Sequence, residues 1–327
     1  MRVAITGASG HIGNVLMHDL LEQGYEVTAL QHNHNILHDH LPLRIVTGDV
    51  LDRASVDQLM AGADAVIHTA AVISISGDKD GRMRRVNVDG VGLMLEAALH
   101  HRVKKFVQVS SIHAFQQRPS DKVLNESRTL TSAQSPAYDQ SKRDGQLLAL
   151  AFAEKGLNVT VVNPTSVVGP PDIRPSLMGK AIIDLCNGKV PALIPGGFDF
   201  VDVRDVVKGI TGALQKGRRG ECYLLSGKWH SIVEITGMLG EISGRSIHPP
   251  LIPAWLARTG LPFMKVASFL SGKPPLYTSE SIDALSEGNR QIDAAKAKTE
   301  LGFMPRPLFV TLQDLYKWFI DHDCIKK

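Results

Sequence analysis

The chain has 327 residues, 43 % of them hydrophobic, enough to bury a sizeable core in one large domain or two moderate ones. Lysine and arginine total 36 against 33 acidic residues, a net charge of +3. With no basic run interleaved with aromatics, this balance argues against a dedicated nucleic-acid binder. Cys186, Cys222 and Cys324 stand far apart with no C-x-x-C spacing and read as reduced thiols. No signal peptide precedes the first apolar run at Arg2, so the expected location is the cytoplasm.

The first half alternates short apolar runs with helical stretches. "RVAIT" (2–6), "EVTAL" (26–30), "LRIVTGD" (43–49), "AVIHTA" (65–70), "KFVQVSS" (105–111) and "NVTVVNP" (158–164) read as strands. A long helix is expected from about Ala133 to Lys155. Continuously apolar strands separated by helices predict a doubly wound α/β domain with a parallel sheet covered on both faces. After Pro164 the proline-rich stretches "GPPDIRP", "HPPLIP" and "GKPPLY" interrupt helical pieces. "FVDVRDVVKGITGALQKG" followed by "ECYLL" reads as a segment rejoining the sheet. The expected division is a dinucleotide domain over 1–165, to which 198–227 returns, and a smaller, mainly helical substrate domain over 166–197 and 228–327. The apolar stretch 251–270 is broken by Pro253, Arg258, Pro262 and Lys265, so it is expected to cover a pocket rather than to contact a membrane.

Between the first strand and the first helix stands "ITGASGHIG", with Gly7, Gly10 and Gly13 three apart. The first permits a tight turn, the second a close approach to a pyrophosphate, and the third helix–sheet packing. Further on, "AYDQSK" places Tyr138 four residues before Lys142, on one helical face. An ammonium beside a phenol is expected to lower the tyrosine's pKa toward the range of an acid/base catalyst. Ser111, at a strand end, is placed to hydrogen-bond a substrate oxygen.

With these motifs the chain resembles the extended short-chain dehydrogenases/reductases, the superfamily of NAD-dependent epimerases and dehydratases. Within it, the chain is most similar to the dihydroflavonol-reductase-like branch. The resemblance rests on "TGASGHIG", "GDVLD", "HTAA", "VNVDG", "VSS", "YDQSK" and "NPTSVVGP" and covers nearly the whole chain. It implies a Rossmann domain in which His11 and Ile12 lie along the cofactor phosphates, and Asp49 and Val50 hold the adenine. Thr69, Ala70 and Ala71 would pass beneath the ribose, Asn87 would support the nicotinamide side, and Pro164 and Val167 would line the nicotinamide face. Tyr138 would be the acid/base, Lys142 would grip the nicotinamide ribose, and Ser111 would orient the carbonyl. Ser111 is preferred to Ser110 because it stands four before Phe115, where relatives often carry tyrosine. His68 reads as a buried structural histidine. Relatives often pair through two helices of the first domain, which implies a homodimer.

Sugar-nucleotide members often carry arginine in an R-D-[FY] triplet that grips a diphosphate. Here Phe198 stands at that place, and an aromatic ring packs on an apolar or aromatic substrate instead. The expected reaction is therefore reduction of a carbonyl on a small substrate, or its reverse. A sugar-nucleotide epimerase or dehydratase with tightly bound NAD, and a non-catalytic dinucleotide sensor, are the alternatives. Trp229, Trp255 and Tyr277 are candidates for the pocket's neighbourhood. At the end of the second strand Gln31 and His32 replace the acidic residue of NAD-selective relatives. This favours NADP(H), with His32 donating to the 2′-phosphate, without excluding NAD(H). His32, His34, His38 and His40 fall within nine positions, but the chemistry requires no metal, and the last three read as solvated loop residues.

Overall fold

The computed structural model describes residues 1–32, 41–74, 77–259, 261 and 278–326. His34, His38, His40, Tyr277 and half of the expected covering segment 251–270 lie outside them. No helix among the described residues is long and apolar enough to cross a membrane.

Seven parallel strands form the main sheet in the order β3-β2-β1-β4-β5-β6-β9. They are β1 (Arg2–Thr6), β2 (Glu26–Gln31), β3 (Arg44–Thr47), β4 (Ala65–His68), β5 (Lys105–Val109), β6 (Val159–Pro164) and β9 (Cys222–Leu225). Because side chains alternate along a strand, the sheet feeds two cores. Val3 and Ile5 enter one with helices α1 (His11–Glu22) and α7 (Val203–Lys216). Ala4 enters the other with α2 (Arg53–Met60), α4 (Val91–His100) and α5 (Ala137–Glu154). This is the doubly wound architecture the alternation predicts. Strand order reverses between β1 and β4, and the crevice at their C-terminal ends is where such sheets bind ligands.

Strand β9 pairs with β6 in the main sheet, and α7 packs on the first core. The strand before them, β8 (Gly197–Asp202), instead pairs with β7 (Ser166–Val168) and β10 (Lys228–Ser231) in a separate three-stranded sheet. One face of it, with Phe200 and Val168, packs on α6 (Leu177–Cys186), α8 (Ile232–Ser243) and the helix Leu308–Asp321. The opposite face, carrying Val201 and Val167, meets the first domain. Helix α5 starts at Ala137, four residues later than the periodicity places it. Pro136 keeps the residue before it out of helical geometry, and Ser135 is held in a turn by the Thr131 hydroxyl, 2.5 Å away.

Candidate active site

The glycine turn sits at the crevice. Gly7 has φ +73°, and a Cβ there would lie 2.5 Å from Thr69 Oγ1 and 2.7 Å from Ala70 N. Only glycine fits where the β1 turn passes so close to the segment after β4. Thr69 Oγ1 in turn donates to Thr6 O at 2.7 Å. At Gly13 a Cβ would stand 2.1 Å from Gly7 O, so helix α1 packs directly on the turn. Gly10 is different: its backbone is extended, and Gly7 O at 3.2 Å is the one atom a Cβ would meet within 4 Å. The space before it is open, and α1 begins there with no side-chain cap. The first-turn N–H groups of His11, Ile12 and Gly13 therefore face that space, a fit for a pyrophosphate.

The other expected cofactor residues surround this crevice. Ile12 packs on the first core, and His11 Nε2 donates to Gly169 O at 2.8 Å, tying α1 to the loop after β7. Gln31 is buried at the end of β2. His32 Nδ1 lies 3.1 Å from Asp49 Oδ2, while Asp49 Oδ1 accepts from Leu51 N. Val50 is buried in the second core. Thr69, Ala70 and Ala71 are half-buried after β4. Asn87 acts behind that segment: its amide pairs with both backbone groups of Val72 and donates to Ser141 Oγ at 3.0 Å on α5. It sits in a widened helical turn, Arg85–Gly90, a departure common at functional sites. Pro164 and Val167 flank the end of β6. His68 is fully buried, with Nδ1 2.7 Å from Thr6 Oγ1, and burial holds its pKa down at about 3, a neutral structural imidazole.

Ser111, Tyr138 and Lys142 converge beyond β5. Tyr138 and Lys142 lie one turn apart on α5, with Lys142 Nζ 6.0 Å from the Tyr138 ring centroid. His113 N donates to Ser111 Oγ at 3.2 Å, which occupies an acceptor site of that oxygen. The Ser111 proton is then free to turn toward Tyr138, whose phenolate it favours. Ser110, the other candidate, has a buried hydroxyl with no partner. The expected depression of the tyrosine's pKa is not found in the protein alone. Burial pushes Tyr138 up to about 12, against the lowering hydrogen bond from Ser111, and the same burial pulls Lys142 down to about 8. Burial disfavours each charged form, phenolate and ammonium alike, and sets the direction of both shifts.

Two residues of this site escape the motif reading. Asn163 Nδ2 donates to Ser111 O at 2.8 Å and to Gln146 Oε1 at 2.7 Å, all buried. Gln146 stands four residues beyond Lys142 and eight beyond Tyr138, a helical spacing that was available in the sequence. Asn163 lies within "NPTSVVGP" itself. Phe198, expected at the substrate, packs edge-to-face on Phe200 with centroids 6.0 Å apart and joins the apolar clusters of the second domain. Its neighbour Asp199 is on the other face, with Thr165 Oγ1 and Gly227 N both donating to Oδ1. Trp229, its register partner there, lies under Arg290, whose guanidinium carbon is 5.2 Å from the ring centroid. Trp255 is exposed. Among the described residues no His, Cys, Asp and Glu group is arranged to hold a metal.

A parallel sheet with a phosphate-binding turn at its switch point, and a serine, tyrosine and lysine gathered beyond the adjoining strands, define a dinucleotide-dependent enzyme. The sequence pattern of the NAD dependent epimerase/dehydratase family matches residues 3–225, and the chain belongs to that family. It is 33 % identical to sterol demethylase protein B of Methylococcus capsulatus, covering 99 % of this chain and 100 % of that one. It is 31 % identical to a protein of Synechocystis named as a dihydroflavonol 4-reductase, over 98 % and 95 %. The solved structure of gox2253 superposes with a TM-score of 0.85 at 28 % identity, over 100 % of this chain and 99 % of that one. The family is NAD-dependent and acts on CH–OH groups, so the chain is an enzyme rather than a dinucleotide sensor.

Proposed function

We propose that the protein interconverts a ketone and a secondary alcohol on a small, apolar or aromatic ring substrate, working toward the alcohol, with NADP(H) preferred. The observation that carries this reading is the gathering of the triad: Ser111 Oγ accepts from His113 N, which leaves its proton available, and Lys142 Nζ lies 6.0 Å from the Tyr138 ring, beside which a carbonyl oxygen would sit. When bound, the nicotinamide supplies the hydride to the carbonyl carbon. Ser111 donates a hydrogen bond to the carbonyl oxygen, and Tyr138 gives that oxygen its proton, completing the alcohol. Lys142, which would grip the nicotinamide ribose, holds positive charge beside the phenolate that forms. Asn163 and Gln146 fix the Ser111 backbone from behind, so the donors are aimed before the charge develops.

The sterol and dihydroflavonol named for the two relatives are both oxygen-bearing ring systems, in accord with an apolar or aromatic ring substrate. Support for NADP(H) comes from the end of β2, where Gln31 offers no carboxylate and the exposed His32 imidazole, 3.1 Å from Asp49 Oδ2, would donate to a 2′-phosphate. The test is a panel of cyclic ketones, including a 3-ketosteroid, followed by loss of NADPH or NADH absorbance with wild type and Tyr138→Phe. Turnover by wild type with NADPH preferred, abolished in Tyr138→Phe while cofactor binding persists, is the expected result. Turnover retained by Tyr138→Phe refutes the mechanism. Tightly retained NAD with no net cofactor consumption refutes the reductase reading in favour of an epimerase.

A further inference from the structure

Tyr138 does not stand among neutral neighbours. Asp139 follows it on α5, and Asp139 Oδ1 lies 3.1 Å from His113 Nδ1. The His113 ring meets the Tyr138 ring edge-on, with centroids 5.6 Å apart. His113 thus touches two members of the triad, through its backbone N–H to Ser111 and its ring to Tyr138, while its imidazole fastens a carboxylate.

The other charges near the tyrosine come from three elements. On α5 itself Lys142 approaches the ring, and Arg143 is taken up by Asp144. From the short helix Arg82–Arg84, Arg84 also binds Asp144, at 3.0 Å. From β4, His68 is buried and neutral. Asp144 is therefore neutralised by two guanidinium groups, whereas Asp139 is paired, among the described residues, with His113 alone.

We propose that Asp139, held in place by His113, is a positioning residue that keeps the Tyr138 hydroxyl loaded with its proton and so biases the site toward carbonyl reduction. A carboxylate beside a phenol disfavours the phenolate. Asp139 acts on Tyr138 in this sense, adding to the larger effect of burial. Reduction consumes the tyrosine's proton and needs it present, whereas oxidation needs the phenolate, so raising the midpoint widens the pH range of the first and narrows that of the second. The His113 ring, with Nδ1 3.1 Å from Asp139 Oδ1, packs against the carboxylate and limits where it can lie. The bias toward reduction rests on the alcohol–ketone reading; the effect on Tyr138 does not.

The test reads the tyrosine directly. The chain has five tyrosines, so the enzyme is labelled with 3-fluorotyrosine and the Tyr138 fluorine resonance is assigned by its loss in Tyr138→Phe. The resonance is then titrated with pH in wild type, Asp139→Asn, His113→Phe and Asp144→Asn. Asp139→Asn is expected to lower the Tyr138 midpoint by about one pH unit, the scale of one unit charge several ångström away in a partly buried site. His113→Phe keeps a ring against Tyr138 but removes the polar nitrogen facing Asp139, and raises the midpoint by a smaller amount. Asp144→Asn leaves it in place. Equal shifts in Asp139→Asn and Asp144→Asn, or no shift in Asp139→Asn, would overturn the proposal. Should Asp139→Asn not fold, an unchanged midpoint in His113→Phe overturns it. On any ketone that is turned over, the alkaline limb of reduction must move down in Asp139→Asn with the fluorine midpoint. A fluorine shift without a rate shift would overturn the reduction bias alone.

Discussion

Gly10 and Gly13 lie three residues apart in one turn, yet the structure separates their roles, and substituting each with alanine tests the separation. At Gly13 the new Cβ would stand 2.1 Å from Gly7 O, so α1 must retreat by about 1.3 Å to reach an ordinary contact of 3.4 Å. Crowding of this kind costs about 1–3 kcal/mol, a fall in Tm of about 2–10 °C. At Gly10 the backbone is extended, with φ −80° and ψ 169°, which alanine adopts freely, and the nearest atom is 3.2 Å away. Gly10→Ala should therefore cost a few tenths to about 1 kcal/mol of stability, the usual penalty of alanine at a helix N-cap. Its methyl group points instead into the open space before α1, where the proposed cofactor's pyrophosphate would sit. Dissociation constants for NADPH and NADH should rise at least tenfold, about 1.4 kcal/mol. Thermal unfolding read beside fluorescence titration of the reduced dinucleotides distinguishes the two. Gly10→Ala binding both dinucleotides like wild type would refute the seating of the phosphates in this turn.

Three further substitutions follow from the same geometry. Asn163→Ala leaves the Ser111 carbonyl and Gln146 Oε1 without their donor. It should destabilise by about 1–3 kcal/mol and lower kcat while leaving dinucleotide affinity within about twofold, as steady-state kinetics and binding would show. His32→Ala should weaken NADPH about tenfold and NADH little; equal losses would place the imidazole away from the 2′-phosphate. His68, neutral in the fold down to about pH 3, takes up a proton in the unfolded chain near its ordinary value of about 6.5. Its contribution to stability is complete above that value and is lost as pH falls, by at most about 1.4 kcal/mol per unit between the two. Urea unfolding at pH 7 and pH 4.5 should show a smaller acid loss in His68→Gln than in wild type.

Much of the fold is legible in the sequence because the parallel strands are buried on both faces and read as unbroken apolar runs; β1, β2 and β4 fall where such runs place them. The glycine turn and the Tyr138–Lys142 spacing are legible for a related reason, since backbone approach and helix period constrain residue type locally. What is not legible is set by partners distant in the chain. Nothing near Phe198 announces that β8 pairs with β7 and β10 and turns this ring to the apolar clusters of the second domain. Asn87 looks like a solvated helix residue until Val72 and Ser141 are brought to it. The direction of the Tyr138 shift was also beyond reach, because the Lys142 spacing is visible in sequence and the burial that outweighs it is not.

The central claim is a net transfer of hydride at a site where Tyr138 supplies the proton, and the most direct measurement is stoichiometry with an isotopic label. A ketone from the panel is incubated with NADPH deuterated at the transferable position, and product alcohol is counted against cofactor oxidised. One alcohol per NADPH consumed, with deuterium on the carbinol carbon in wild type and no product in Tyr138→Phe, is the predicted result. Product formed without net loss of NADPH, or without label on that carbon, would contradict the account.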